Sequence, residues 1–289
     1  MLRGLLRSMR PTQWAKNLFV LAPLVFAHGL LAPVLIGRAA AAFAAFCAAA
    51  SAVYLFNDLR DREHDRHHPL KRHRPIAAGT LPAPVAALAA ALLTAAAGGA
   101  AVVLGAGFAL WLAIYLVLNV GYTLGLKRVV ILDVMIIGFG FVLRVLAGGA
   151  AVGVEVSRWL LLCTIFLALF LAFSKRRHEI DLLAADATAQ RAVLTQYSPA
   201  FLDQMINVVT ASAVVCYAMY AIAPETTEKY DTQDLVWTIP LVLFGIFRYL
   251  YLVYQRQDER NPTEAILTDV PFLVNMVLWG AAVVWIVYG

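Results

Sequence analysis

Four oxygen-bearing side chains near residue 60 have the types and spacing for metal chemistry. They lie in Asn57-Asp58-Leu59-Arg60-Asp61-Arg62-Glu63-His64-Asp65. If the stretch is helical, Asn57, Asp61 and Asp65 recur at i, i+4 and i+8, and Asp58 stands three before Asp61. All four then share one face. Carboxylates stacked this way repel one another unless a cation lies between them. Mg²⁺ takes hard oxygen ligands, typically one or two carboxylates together with phosphate oxygens and water. The row therefore suits a magnesium–diphosphate complex, with Asp58, Asp61 and Asp65 as its catalytic acids and Asn57 as a fourth metal ligand. A solvated, charge-rich loop is the plain alternative. Against it, the row begins inside an apolar run, where a carboxylate is costly.

Cations follow the acids in His67-His68-Pro69-Leu70-Lys71-Arg72-His73-Arg74-Pro75. Lys71, Arg72 and Arg74 can hold phosphate oxygens directly, arginine in bidentate fashion. A zinc site from His64, His67, His68 and His73 fits no standard ligand spacing. Elsewhere, Lys16 and Asn17 enter an apolar run and are candidates for binding a phosphate, with interface anchoring the other reading of Lys16. Tyr122 and Lys127, with Arg128, close another apolar run, as an interfacial belt does. Asn119, one turn earlier, suits either a cavity wall or a helix–helix hydrogen bond. Asp133 and Arg144 fall on one helical face, roughly 16 Å apart at about 1.5 Å per residue. An arginine that deep in an apolar segment must face a cavity or a partner, and a phosphate is the expected ligand of Arg144. Arg248 has no matched motif and is left unassigned.

The elements that carry these residues follow from composition. Of 289 residues, 62% are hydrophobic and 14% charged, and mean hydropathy is +0.76. A soluble domain needs more polar surface than this; in a bilayer, helices satisfy their own backbone groups. Nine spans are predicted near 17–37, 39–57, 84–105, 107–126, 130–152, 158–175, 203–223, 235–256 and 270–288, within one domain over 1–289. The alanine-rich stretches at 39–50 and 86–101 favour close helix packing. With the N-terminus in the cytosol, 18 of the 23 Lys and Arg fall on cytosolic segments, as the positive-inside tendency requires. The net charge of +5 thus reflects orientation and gives no reason to expect nucleic acid. Cys47, Cys163 and Cys216 lie in apolar runs without a metal or redox spacing and read as buried free thiols. The cations before the first span resemble a signal n-region, but the apolar run is too long and lacks a convincing cleavage site.

The acid row, followed by a basic stretch ending in Arg74-Pro75-Ile76-Ala77-Ala78-Gly79-Thr80, resembles the UbiA superfamily of intramembrane prenyltransferases. The resemblance covers most of the chain and weakens after about residue 200. It implies an all-α bundle of nine transmembrane helices around a central cavity open to the cytosol and laterally to lipid. It also implies that Asn57, Asp58, Asp61 and Asp65 bind Mg²⁺ and diphosphate, and it marks Tyr122 and Lys127 as diphosphate contacts.

One departure from the usual pattern is informative. Typical members carry a second acidic motif after the sixth span, where this chain has Ser174-Lys175-Arg176-Arg177-His178-Glu179-Ile180-Asp181. Arg177 stands where the first Asp would be. Lys175, Arg176 and Arg177 suit a substrate set with more phosphates than one diphosphate. Together with Arg10-Pro11-Thr12-Gln13-Trp14-Ala15-Lys16-Asn17 and His68–Pro75, the segment resembles the decaprenyl-phosphate phosphoribosyltransferase branch. That branch transfers 5-phosphoribose from phosphoribosyl diphosphate (PRPP) to a polyprenyl phosphate, releasing diphosphate, and feeds the arabinose donor for cell-wall polysaccharide such as arabinogalactan. The expectation is a Mg²⁺-dependent multi-pass enzyme of the plasma membrane with a cytosolic active site; a homo-oligomer is compatible with it. An aromatic prenyltransferase using an isoprenyl diphosphate is the first alternative. A lipid-phosphate or small-anion transporter is the second, although no inverted repeat is visible.

Overall fold

A computed structural model describes residues 1–26, 29–68, 71–184, 196–255 and 268–289. Arg191, Arg256 and Arg260, counted above as cytosolic cations, lie outside the described residues, as does the side chain of Asp181. The chain forms two compact units, Met1–Ile136 with Gly140–Val156, and Ile137–Phe139 with Ser157–Gly289.

The first unit contains α1 (Leu2–Met9), a 3-10 segment (Pro11–Leu21), α2 (Ala22–Phe26), α3 (Pro33–Arg60) and α4 (Arg62–His67). It continues with α5 (Ala83–Leu104), α6 (Ala106–Leu124) and most of α7 (Leu132–Val152). The alanine runs do what their size permits. Ala42, Ala45, Phe46 and Ala49 of α3 pack with Ala97 and Ala101 of α5, and with Phe108 and Leu112 of α6 and Leu143, Ala147 and Ala151 of α7. Small side chains let these backbones approach closely without a hydrophobic drive between helices.

The second unit contains α8 (Arg158–Ala184), α9 (Pro199–Ile222), α10 (Pro224–Tyr230), α11 (Ile239–Tyr254) and α12 (Val270–Tyr288). Local sequence sets several starts. Ser198 accepts from Phe201 N at 3.1 Å and caps α9, and Asp269 accepts from Phe272 N at 2.9 Å and caps α12, each satisfying an amide that the helix leaves unpaired. Prolines stand in the first turns of α3, α9 and α10, where their missing N–H is harmless. Tyr217 ties α9 to α12 by accepting from Trp279 Nε1 at 3.0 Å.

Eight helices among the described residues are long and apolar enough to cross a membrane. Val102 is 82% exposed and Trp285 79%; such outward apolar side chains suit lipid as solvent and would be a liability in water. The expected first span, 17–37, is not one α-helix. A 3-10 segment runs to Leu21, α2 ends at Phe26, and α3 begins at Pro33, six residues before the second span was expected. Proline explains this local break, because Pro33 starts a helix readily and cannot continue one. The 3-10 rise of about 2.0 Å per residue makes the stretch from Pro11 to Phe26 roughly 30 Å long, the thickness of a hydrocarbon core. The span expected at 158–175 extends to Ala184, so the basic segment at 175–177 is helical.

Candidate active site

The acid row lies where α3 gives way to α4. Asp61 is the joint, with φ −86° and ψ 5°, yet the helical ladder carries across it. Asp61 N donates to Asn57 O at 2.9 Å, and Asp65 N donates to Asp61 O at 2.8 Å. The helical spacing expected from sequence is therefore present. Its broad face is split into two stripes with different partners.

Asn57 and Asp61 form the first stripe. Asn57 Oδ1 accepts from Thr123 Oγ1, and Asp61 accepts from Lys127 Nζ at 2.9 Å. Thr123 and Lys127 are also four apart, so two i, i+4 pairs meet. The Asp61 side chain is 34% exposed, the most open of the three row aspartates. Thr123 was not anticipated; its only signal in the sequence is its place one turn before Lys127.

Asp58 and Asp65 form the second stripe, seven residues apart and both buried. Arg74 Nη1 bridges them, 3.1 Å from Asp58 and 2.7 Å from Asp65. Arg10 Nη2 also donates to Asp58, at 2.6 Å. Arg74, expected to bind substrate, thus also neutralises the row, and Asp58 is turned to arginines. Arg10 is a second member missed in sequence, although it opens the Arg-Pro-Thr-Gln-Trp stretch. Its backbone is left-handed at φ 53°, which places it at the corner between α1 and the 3-10 segment.

The neighbouring charges divide their attention. Glu63 holds Arg62 at 2.7 Å and Arg66 at 2.9 Å, and the hydrogen bond from Arg62 draws its carboxyl below the usual range. Arg72 is exposed and donates to His73 Nε2 at 3.3 Å. Lys71 N donates to His68 Nδ1 at 3.4 Å; partial burial, with Lys71 nearby, lowers the His68 imidazole below its ordinary value, which favours the neutral ring. Lys71 and Tyr122 are half-buried.

Arg144, expected to meet a phosphate, is held here by protein groups. Its guanidinium is engaged by protein acceptors: Nε donates to Asn17 Oδ1 at 2.8 Å, Nη1 to Gly140 O at 2.7 Å and Nη2 to Tyr115 Oη at 3.1 Å. It also lies 4.8 Å from the Tyr115 ring centroid and 5.4 Å from that of Phe141. Arg144 joins helices, because a buried cation needs hydrogen bonds wherever they are available. Asn17 belongs to the same network and is fully buried, its Nδ2 3.2 Å from Cys47 Sγ, so it meets protein groups where an acceptor phosphate was expected. Lys16 is half-buried. Asn119 bonds one turn back to Tyr115 O at 2.7 Å.

In the second unit, Arg176 meets Glu179 at 2.5 Å and Lys175 approaches the same carboxylate at 3.9 Å. Arg177 donates to Asp203 at 2.9 Å, and Tyr254 Oη donates to the same oxygen at 2.7 Å. Arg248, unassigned from sequence, pairs with Asp269 through two hydrogen bonds of 3.0 and 2.8 Å, so the carboxylate that caps α12 also anchors α11.

The donor set fits a divalent ion that arrives with a ligand. No group of three or more His, Cys, Asp or Glu among the described residues forms a ready-made cage. Asn57, Asp61 and Asp65 are nevertheless hard oxygen donors at one helix end, and Mg²⁺ needs only one or two carboxylates when phosphate completes its shell.

These helices and this site define an integral, multi-pass α-helical membrane protein with a charge-compensated acidic row at a helix end. The chain matches the UbiA prenyltransferase family over residues 17–287, and it belongs to that family. Among its relatives, the decaprenyl-phosphate phosphoribosyltransferase of Corynebacterium glutamicum is 37% identical, the match covering 99% of this chain and 87% of the relative. The enzyme of the same name from Mycolicibacterium smegmatis is 35% identical, over 97% and 92%. A UbiA homolog from Archaeoglobus fulgidus bound to GPP and Mg²⁺ shares the fold with a TM-score of 0.74 at 19% identity, over 99% of this chain and 100% of that one.

Proposed function

We propose that this protein is a Mg²⁺-dependent phosphoribosyltransferase that moves 5-phosphoribose from PRPP to a polyprenyl phosphate, decaprenyl phosphate by analogy with its relatives, and releases diphosphate. The observation that carries the reading is the acid row itself: Asp61 is open beside Lys127, while Arg74 and Arg10 hold Asp58 and Asp65. That mixture of acids and fixed cations suits a substrate pair carrying several phosphates. The full-length relationship to the two named transferases supports it, and the family match from 17 to 287 supports treating 1–289 as one functional domain.

Asn57, Asp58, Asp61 and Asp65 would hold the ion, with Arg10 and Arg74 compensating Asp58 and Asp65. Charge that builds on the departing diphosphate is what bound Mg²⁺ neutralises. Lys127 stands beside Asp61, so an anion drawn there also meets an ammonium. The bond from C1 to the diphosphate oxygen breaks, and a bond from C1 to an oxygen of the acceptor phosphate forms. The acceptor is already an anion, so the protein needs neither a nucleophile nor a strong base. Its work is orientation and electrostatics. Lys71, Arg72, Lys175, Arg176 and Arg177 are assigned to substrate phosphates; Tyr122 is assigned to the diphosphate and Lys16 to the acceptor. Cation placement along the sequence supports a plasma-membrane protein with its N-terminus and site in the cytosol, making a precursor of lipid-linked arabinose.

Purified protein given Mg²⁺, decaprenyl phosphate and PRPP labelled in the sugar is expected to form a labelled lipid. Label-free lipid under these conditions, with prenyl transfer from an isoprenyl diphosphate to an aromatic acceptor, would replace this reading by the aromatic prenyltransferase.

A further inference from the structure

A cavity of about 170 Å³ lies beside the acid row in the first unit, lined by Arg7, Ser8, Arg10, Asp58, His73 and Arg74. At roughly 30 Å³ per water it has room for five or six waters, enough for a phosphate group with part of its hydration shell. Arg7, Arg10 and Arg74 stand there with Asp58; Arg10 and Arg74 are paired with Asp58, and Arg74 also with Asp65, so three cations meet two carboxylates and the net positive charge favours an anion.

Ser8 supplies an independent observation. It is 1% exposed, and its Oγ has no hydrogen-bond partner, not even the carbonyl one turn back in α1. Buried hydroxyls are nearly always paired, and an unpaired one needs an account. The helix is not loose at this point: Leu5 and Met9 pack against the apolar cluster of Leu55, Ile76, Leu81 and Ala86. A Cβ on Gly4 would lie 3.5 Å from Pro75 Cβ. Ser8 is thus held at the cavity wall by packing on either side, with a donor and two lone pairs unused.

We propose that Ser8, Arg7, Arg10 and Arg74 form a subsite for a phosphate monoester, with Ser8 Oγ donating to one of its oxygens. Arg74 bridges Asp58 at the cavity to Asp65 in the row, which makes the 5-phosphate of the sugar donor the favoured occupant. That choice rests on the transferase reading above. The monoester headgroup of a phospholipid offers the same chemistry, since α1 exposes Leu2 and Leu6 beside its cations.

Full-length protein in nanodiscs is titrated with ribose 5-phosphate by calorimetry, and retention of phosphatidic acid is read separately by native mass spectrometry. Wild-type protein should bind ribose 5-phosphate. Ser8→Ala and Arg7→Gln should each weaken it by about tenfold, the size of one hydrogen bond to a charged group, and change diphosphate affinity by less than about twofold. Arg7 is exposed, so its variant folds whether or not Ser8→Ala does. Retention of phosphatidic acid that Arg7→Gln abolishes, without ribose 5-phosphate binding, keeps the subsite and assigns it to lipid. No binding in either arm, or binding that neither variant weakens, overturns the proposal. Protein that binds ribose 5-phosphate through these residues but makes no labelled lipid keeps the subsite and sinks the transferase. Transfer by protein whose binding ignores both variants does the reverse.

Discussion

Three aspartates at one helix end could not remain charged together without help, and the help is arginine and lysine. Asp61 differs from the others in its exposure, and it is the residue whose loss should stop catalysis while sparing the fold. Asp61→Ala is expected to lower turnover by at least about a hundredfold, the scale of losing a principal electrostatic group, with the melting temperature in detergent nearly unchanged. Near-normal rates in that variant would take the metal assignment with them. Arg74→Ala should do the opposite. It leaves Asp65 buried without the 2.7 Å pair, and breaking such a pair costs about 3–5 kcal/mol, reduced here because Arg74 is itself partly exposed. A clear drop in melting temperature, relieved by adding Asp65→Asn, is the expected result. The row was legible in the sequence because spacing and apolar context agreed. Its division into two stripes was not, because Arg10 and Arg74 reach Asp58 from 48 and 16 residues away and no local pattern encodes such a meeting.

At the scale of elements, the 3-10 segment explains what periodicity alone missed. In a 3-10 helix i and i+3 align, so Trp14, Asn17 and Val20 share one edge. Trp14 Nε1 donates to Ser51 Oγ at 3.1 Å and Asn17 meets Cys47, successive turns of α3. Val20 completes the edge against α7, where a Cβ built on Gly148 would collide with its carbonyl oxygen. Gly148→Ala must therefore push a backbone, and a loss of about 1–3 kcal/mol is expected, measured as a lower unfolding midpoint in detergent. Arg144→Met tests the adjoining network. It should destabilise the protein strongly while leaving the Michaelis constant for PRPP in the folded fraction within about twofold, since its hydrogen bonds all go to protein. A raised Michaelis constant with unchanged stability would support the phosphate role. Sequence placed Arg144 on the right face and depth. It could not show that Asn17 and Tyr115 would arrive to take its donors, for these come from two other elements, whereas Gly140 lies one turn back on α7 itself.

For the whole molecule, composition was the strongest signal. Apolar runs located the long helices from α5 to α12 to within a few residues at most ends, since a span must satisfy its own backbone whatever its neighbours do. It failed where proline and the tight 3-10 path broke the first span, and at α8, whose helix continues through the cations that hydropathy assigned to a loop. Those cations find carboxylates on α8 and α9, which let charged residues stay helical. Because the acidic row is already compensated by protein cations, the fold should not depend on metal. Chelation is expected to abolish transfer with little change in the melting temperature, and Mg²⁺ should stabilise the protein appreciably only when PRPP is added too, by the mass action of a ligand that binds the native state. A large stabilisation by Mg²⁺ alone would mean that the carboxylates form a resident site after all.

The arginine clasp on Asp58 and Asp65 carries a consequence for the life of the protein in its host. If magnesium serves the proposed transfer, protein made while the ion is scarce should stay folded and idle, since its buried carboxylates are held by protein cations. Recovery after such a shortage would then need only the ion and the sugar, with no fresh synthesis.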